Sequence, residues 1–370
     1  MRSRSFSNDS SLWLALLALG ALGGCRGGEP GALPVGYGSG GGGGGGLVEA
    51  SALACPKPAG LPFAVEATGF ASVEAEEVAA DNPRNKDEAS DLLGNPGGVF
   101  GYTNMPLTDS PAGGDLVFTG KRARSPEGSG LTSIPIKGEA VSLWRYDPSD
   151  ETWSSLARGT TSTSGEYRFE LAGPIDEPTR PVYSVLEADE TCAPHYPFLL
   201  DAGTKIVVTD IDGTLTLSDE ELSKQFSDSS YVPLENKSAA LMMNTWAEKG
   251  YQVVYLTARP HVFRAETRKW LDDLGYPVGP VITANQLVFG DSARQYKRTW
   301  VNRVVTDFGW VVTAAYGNAT SDIDAYEDAG IPKDITFIIG ESAGVAGTTA
   351  IDANDFSSHI TDFVEQQPDA

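Results

Sequence analysis

The sequence predicts an α/β protein in two parts, an antiparallel β-sandwich followed by a doubly wound, parallel sheet. Three observations carry this. From Lys205 onward, continuous apolar runs alternate with amphipathic stretches, the pattern of successive βαβ units. Between about 96 and 200, short β-rich runs are separated by Gly, Ser and Pro. A pair of aspartates closes the first apolar run of the second part, at the strand end where doubly wound sheets bind ligands.

Residues 1–24 read as a signal peptide. Arg2 and Arg4 precede an apolar stretch from Leu12 to Leu22 that is too short to span a bilayer. The small residues of Leu22-Gly23-Gly24-Cys25 resemble a bacterial lipobox, in which the cysteine is lipidated. A plain signal peptide with an incidental cysteine is the alternative. The lipobox reading makes the chain an exported lipoprotein, held at a membrane by acyl chains on Cys25. Residues 25–60 are a linker with an unbroken glycine run, Gly40–Gly46, which gives an anchored domain reach. No Gly-Lys-Ser/Thr follows the run, so it is not a phosphate loop. Residues 61–95 are unassigned: Glu74–Ala80 fits a short helix, but Asn82-Pro83 and Asn95-Pro96 break the pattern.

The part at 96–200 contains strands at 115–119, 140–146, 165–171 and 181–186, which suggests a β-sandwich of immunoglobulin-like type. Tyr167, Phe169 and Leu171 alternate onto one face, and Trp144 and Trp153 read as packing residues. The part at 201–370 opens with Lys205–Asp210 and continues with a helix around 237–249 and a strand at 252–257. A helix at 262–274, a strand at 280–283, a helix at 296–308, a strand at 310–316, a helix at 322–329 and a strand at 335–339 complete it.

Composition narrows the function classes. With 50 Asp and Glu against 27 Lys and Arg, the net charge of −23 repels nucleic-acid phosphates. Three cysteines and three histidines are too few for a disulfide scaffold or a Cys/His zinc site. Cys55 and Cys192 are nonetheless candidates to pair in an oxidising compartment. His261, lacking a partner at ligand spacing, reads as a surface or structural residue.

The chemistry sits in Asp210-Ile-Asp212-Gly213-Thr214-Leu215-Thr216. Two carboxylates at i and i+2 leave a strand into a glycine-permitted turn and project into one crevice, where they repel unless a cation or shared proton compensates. This segment resembles motif I of the haloacid dehalogenase superfamily of phosphotransferases. Thr257 in Leu-Thr-Ala-Arg-Pro resembles motif II. Lys297, opening a helix, resembles the motif III lysine, although an ordinary surface lysine reads the same. Gly317-Asn318-Ala-Thr-Ser-Asp322 resembles motif IV, with Asp324 ranked below Asp322.

The motif variants resemble those of the lipin-like (LNS2-type) Mg²⁺-dependent phosphatidate phosphatases, in which an immunoglobulin-like domain accompanies the catalytic one. A lipin-type N-terminal amphipathic helix and a polybasic stretch are not found, so the lipid anchor is expected to supply the membrane contact. Helices and strands fill the intervals between motifs, which implies a capless fold open to a phospholipid or another bulky phosphomonoester.

The resemblance implies these roles. Asp210 is the nucleophile that forms an aspartyl-phosphate, and Asp212 is the general acid and base. Gly213, Thr214, Thr257 and Lys297 bind phosphate. Mg²⁺ is held by Asp210, the Asp212 carbonyl and Asp322, with Asn318 acting indirectly. Arg259 either contacts phosphate or caps its strand. Two other functions remain open: an exported acid phosphatase acting on soluble phosphomonoesters, and a non-catalytic phosphatidate-binding module. Protein partners are not legible.

Overall fold

The structure, a computed structural model, describes residues 68–74, 85–87, 92–95, 98–101, 108–109, 116–124, 134–147, 149–150, 152–171, 182–227, 231–260, 263–284, 288, 290–351 and 354–370. The expected signal peptide, the glycine linker, Cys25, Cys55, most of the expected 74–80 helix and His261 lie outside the described residues.

Ahead of residue 205 every strand among the described residues belongs to a small sheet. The first twelve strands are β1 (Asn85–Asp87), β2 (Leu92–Asn95), β3 (Gly98–Gly101), β4 (Thr108–Asp109), β5 (Leu116–Arg124), β6 (Ile134–Pro135), β7 (Ala140–Asp147), β8 (Thr152–Thr160), β9 (Glu166–Leu171), β10 (Val182–Leu186), β11 (Cys192–His195) and β12 (Pro197–Leu199). They form sheets in the orders β1-β5-β6 with β9 beside β5, β11-β10-β7-β8, and β12-β2-β3-β4. Alternation explains the packing of the first two. In β9, Tyr167 and Phe169 turn inward while Glu166, Arg168 and Glu170 face solvent. The inward side chains join Phe118 of β5, Val141 and Leu143 of β7, and Val182 and Leu186 of β10 in one apolar cluster. Trp144 and Tyr183 pack on the other face of the β7–β10 sheet, beside the buried, disulfide-bonded Cys192.

The second part is a six-stranded parallel sheet of β13 (Lys205–Thr209), β14 (Gln252–Pro260), β15 (Val281–Ala284), β16 (Val311–Gly317), β17 (Thr336–Ile339) and β18 (Thr349–Ile351). Their order is β15-β14-β13-β16-β17-β18. The chain therefore runs outward from β13 in one direction, then returns to its other side at β16. The carboxyl ends of β13 and β16 flank this switch point, where the covering helices diverge and leave a crevice.

In central β13 Ile206, Val207, Val208 and Thr209 are buried because both faces of the strand are covered. On one face, Met242, Met243 and Trp246 of helix Ala239–Glu248 pack with Tyr316, Phe337 and the C-terminal residues Phe356, Ile360 and Val364. Helices Arg264–Asp273, Asp291–Asn302 and Thr320–Asp328 follow their strands as expected. No helix among the described residues is long and apolar enough to cross a membrane.

Several boundaries differ from the sequence expectation. β14 continues past Thr257 to Pro260. The helix expected at 296–308 begins at Asp291, after Gly290, and its last turn widens into a π-helix at Arg303–Asp307. Lys297 therefore sits in mid-helix and does not open it. Helix Glu220–Ser227, β8, β18 and the C-terminal turns at 357–364 are additions.

Candidate active site

Asp210 leaves β13 at the switch point, and its backbone N–H donates to the Tyr316 carbonyl across the crevice (3.0 Å). The chain then turns through Gly213 at φ 68°. A Cβ on Gly213 would stand 2.0 Å from Asn318 Nδ2, so the residue must be glycine for both conformation and clearance. The turn is closed from within. The Gly213 N–H donates to Thr216 Oγ1 at 2.9 Å, and Asn236 Nδ2 donates to the carbonyls of Thr214 and Thr216. Gly213 thus contributes shape here, its amide being engaged, whereas the buried Thr214 hydroxyl has no partner among the described residues.

Opposite stands the end of β16. At Gly317 a Cβ would come within 2.5 Å of Asp322 Cβ, so glycine lets the following helix tuck its first turn against the strand. Asp322 lies in that turn. Its Oδ2 accepts from the backbone N–H groups of Asn318 and Ala319 (3.2 and 3.1 Å), a placement that also favours negative charge at a helix N-terminus. Asn318 therefore fixes Asp322 through its main chain, while its side chain donates to Asp219 Oδ1 at 3.2 Å.

Lys297 joins the two acids. Its Nζ lies 2.9 Å from Asp210 Oδ1 and 2.6 Å from Asp322 Oδ1, and all three side chains are buried. The surface-lysine alternative is thereby excluded. Burial alone would lower the Lys297 ammonium, but Asp210 and Asp322 more than offset it and hold the group charged. Burial, with Asp322 and Asp212 nearby, pushes the Asp210 carboxyl up against the pull of Lys297. Desolvation, with the Asp212 charge, pushes the Asp219 carboxyl up to about 6.

Asp212 meets a different partner. Arg259 Nε lies 3.0 Å from both Asp212 oxygens, and Nη2 lies 2.8 Å from Oδ1. Thr257 Oγ1 accepts from the Arg259 N–H and donates to Asp212 Oδ2 at 3.3 Å. Arg259, expected either at a phosphate or as a strand cap, ion-pairs with Asp212. The sequence reading also missed Asp219, whose only signal is its nearness to the first motif. Asp324 turns away to Arg294 on the surface.

Among the described residues Asp210 and Asp322 pair with Lys297 and Asp212 pairs with Arg259, and with Asp219 nearby this leaves hard oxygens with negative charge in excess. Such a set fits a divalent cation like Mg²⁺. The fit rests on two carboxylates and a main-chain carbonyl: among the described residues no three His, Cys, Asp or Glu side chains converge as a cage.

Residues 207–340, which span the crevice, match the family model described as the LNS2 domain of PITM 1-3. This stretch is similar to the LNS2 domain. Relatives that align through it include mouse membrane-associated phosphatidylinositol transfer protein 3, 30% identical over 232 residues, covering 62% of this chain and 22% of that protein. The human protein of the same name is 30% identical, with 61% and 22% covered. Protein retinal degeneration B of Drosophila melanogaster is 27% identical, with 57% and 16% covered. The chain therefore spans about a fifth of the length of these curated relatives. Solved structures with partial likeness include a HAD-like phosphatase from Mesorhizobium loti (18% identity, TM-score 0.35, 44% of this chain and 86% of that one). Another is phosphoserine phosphatase in its apo form (12% identity, TM-score 0.30, 44% and 98%).

Proposed function

We propose that the LNS2-like domain is a Mg²⁺-dependent phosphomonoester hydrolase acting on phosphatidate, and that acyl chains on Cys25 hold the exported chain at the membrane. In the same reading, residues 96–200 are an immunoglobulin-like module and 201–370 the catalytic domain. The observation that carries the reading is the pairing of Asp210 and Asp322 by buried Lys297 beside a third aspartate, Asp212, at the switch point.

Asp210 is the nucleophile. Its oxygen bonds to phosphorus as the bond from phosphorus to the lipid alkoxide breaks, and Asp212 delivers the proton that the alkoxide needs. Asp212 then takes a proton from water, which attacks the aspartyl-phosphate, releases phosphate and restores Asp210. Lys297 keeps Asp210 oriented and offsets charge that builds on the phosphoryl oxygens. Thr214, whose hydroxyl has no partner among the described residues, is suited to donate to those oxygens, and Thr257 reaches them only by releasing its bond to Asp212. Mg²⁺, held by Asp210, Asp322 and the Asp212 carbonyl, would neutralise phosphate charge ahead of attack.

Comparing phosphate release from phosphatidate micelles and from soluble phosphomonoesters, with and without Mg²⁺, tests this. Release from phosphatidate that requires Mg²⁺ is expected. Activity confined to soluble esters would indicate an acid phosphatase instead. A second reading, a phosphatidate-binding module without turnover, is favoured by the names of the relatives, which are transfer proteins. Binding of phosphatidate without phosphate release would establish it.

A further inference from the structure

Arg259 does not open onto the crevice. Its side chain is fully buried, whereas that of Asp212 is 15% exposed, so the carboxylate lies between the guanidinium and solvent. The guanidinium is held on two edges. Nε and Nη2 form a fork on Asp212, and Nη1 donates to Thr267 Oγ1 at 3.1 Å and to Gln225 Oε1 at 3.4 Å. Thr267 and Gln225 belong to two separate helices, Arg264–Asp273 and Glu220–Ser227, so the plane of the guanidinium is set by the scaffold. Asp212, in contrast, precedes a glycine turn, and besides Arg259 its carboxylate is held among the described residues by the 3.3 Å bond from Thr257. A planar fork dictates the orientation of a carboxylate, which an ammonium on a flexible stem does not. The edges available to a phosphate are already occupied.

We propose that Arg259 is a positioning residue: it holds the Asp212 carboxylate in orientation at the phosphoryl-transfer centre and acts on turnover through Asp212, not through substrate. This rests on the phosphomonoester-hydrolase reading. Thr267 and Gln225 back the guanidinium, and the alternation of β14 places Thr257 and Arg259 together on the side facing Asp212.

The test uses the full chain with Mg²⁺ as wild type, Arg259→Lys, Arg259→Gln, Asp212→Asn and the Asp212→Asn/Arg259→Gln double variant. Turnover is followed on phosphatidate micelles and p-nitrophenyl phosphate, and inorganic phosphate binding by calorimetry. Both Arg259 variants should lower kcat by about 10- to 100-fold, part of the range typical of acid–base catalysis. KM and the phosphate Kd should stay within about twofold, and the double variant should be no slower than Asp212→Asn. A tenfold rise in KM or phosphate Kd with kcat preserved would make Arg259 a phosphate ligand and overturn the proposal. Full turnover in Arg259→Lys, or penalties that multiply in the double variant, would overturn it too. Thr267→Val keeps the test open if the Arg259 variants unfold: it removes one hydroxyl from Nη1 and should lower kcat severalfold with phosphate binding unchanged. An unchanged kcat there would count against the proposal. Wild-type protein inert on both substrates would remove the hydrolase reading itself, whereas an active wild type with insensitive variants would remove only this inference.

Discussion

Replacing Lys297 with Met keeps the length of the side chain and removes the charge that holds Asp210 and Asp322 together. Contacts of 2.9 and 2.6 Å each correspond to roughly 6 kcal/mol of gross attraction at an effective dielectric of about 20. Desolvation takes back much of that. Breaking a buried pair by removing one partner typically leaves a net loss of about 3–5 kcal/mol, because the carboxylates stay buried without compensation. At about 2–4 °C per kcal/mol for a domain of this size, Lys297→Met should lower the melting temperature by on the order of 10 °C without Mg²⁺. If the two acids hold the cation, Mg²⁺ at a hundred times its Kd should return about 2.7 kcal/mol. The Mg²⁺-induced rise in Tm should exceed that of the wild type, because the ammonium no longer competes for the same oxygens. Thermal unfolding followed by circular dichroism, with Mg²⁺ and with chelator, measures both effects. A Tm within about 2 °C of wild type in chelator would refute the ion-pair reasoning, and an unchanged Mg²⁺ response would refute the shared site.

Three further outcomes are expected. Gly213→Ala should lose turnover by at least tenfold, and stability by about 1 kcal/mol or more, since its Cβ would meet Asn318 Nδ2 at 2.0 Å and its φ is 68°; wild-type rates would contradict the tight turn. His359 is packed between Phe337 and Phe363, and burial lowers its imidazole from 6.5 to about 4 despite Asp362. Folded protein thus binds fewer protons than unfolded protein in that window, so this contribution is complete above pH 6.5 and fades as pH falls toward 4, by up to about 3 kcal/mol. Urea midpoints across this range should fall less steeply for His359→Gln, and parallel slopes would remove the effect. Cys25→Ser should shift the protein from membrane to soluble or unprocessed fractions, because a hydroxyl cannot form the lipid thioether; equal partitioning would exclude the anchor.

The residues that line the crevice were legible because they sit at strand ends and in glycine turns, where local sequence dictates geometry. Asp210 and Asp322 converge because β13 and β16 are neighbours, which strand–helix alternation already implies. Arg259 was misread for one reason, the end of β14. Placing that end at Thr257 hid the i, i+2 relation that carries Arg259 to the Asp212 side of a strand that continues to Pro260. Lys297 was found by its neighbours, yet its helix start was missed because Gly290-Asp291 falls outside the apolar period. β8 escaped notice because its side chains are mostly exposed or half-buried and give no clear apolar run, and β18 because three residues carry too little pattern. Asp219 illustrates a limit of another kind: its approach to Asn318, 99 residues away, is set by tertiary folding alone.

In the proposed reaction Asp210 attacks phosphorus and carries the phosphoryl group. Rapid acid quenching of full-length protein with Mg²⁺ and phosphatidate labelled in its phosphate tests it most directly. The expected result is acid-stable, hydroxylamine-sensitive label on the peptide that contains Asp210. That label should build up in Asp212→Asn, where water is no longer activated, and be missing in Asp210→Asn. Phosphate release at wild-type rates by Asp210→Asn, with no label on the wild-type peptide, would contradict the account.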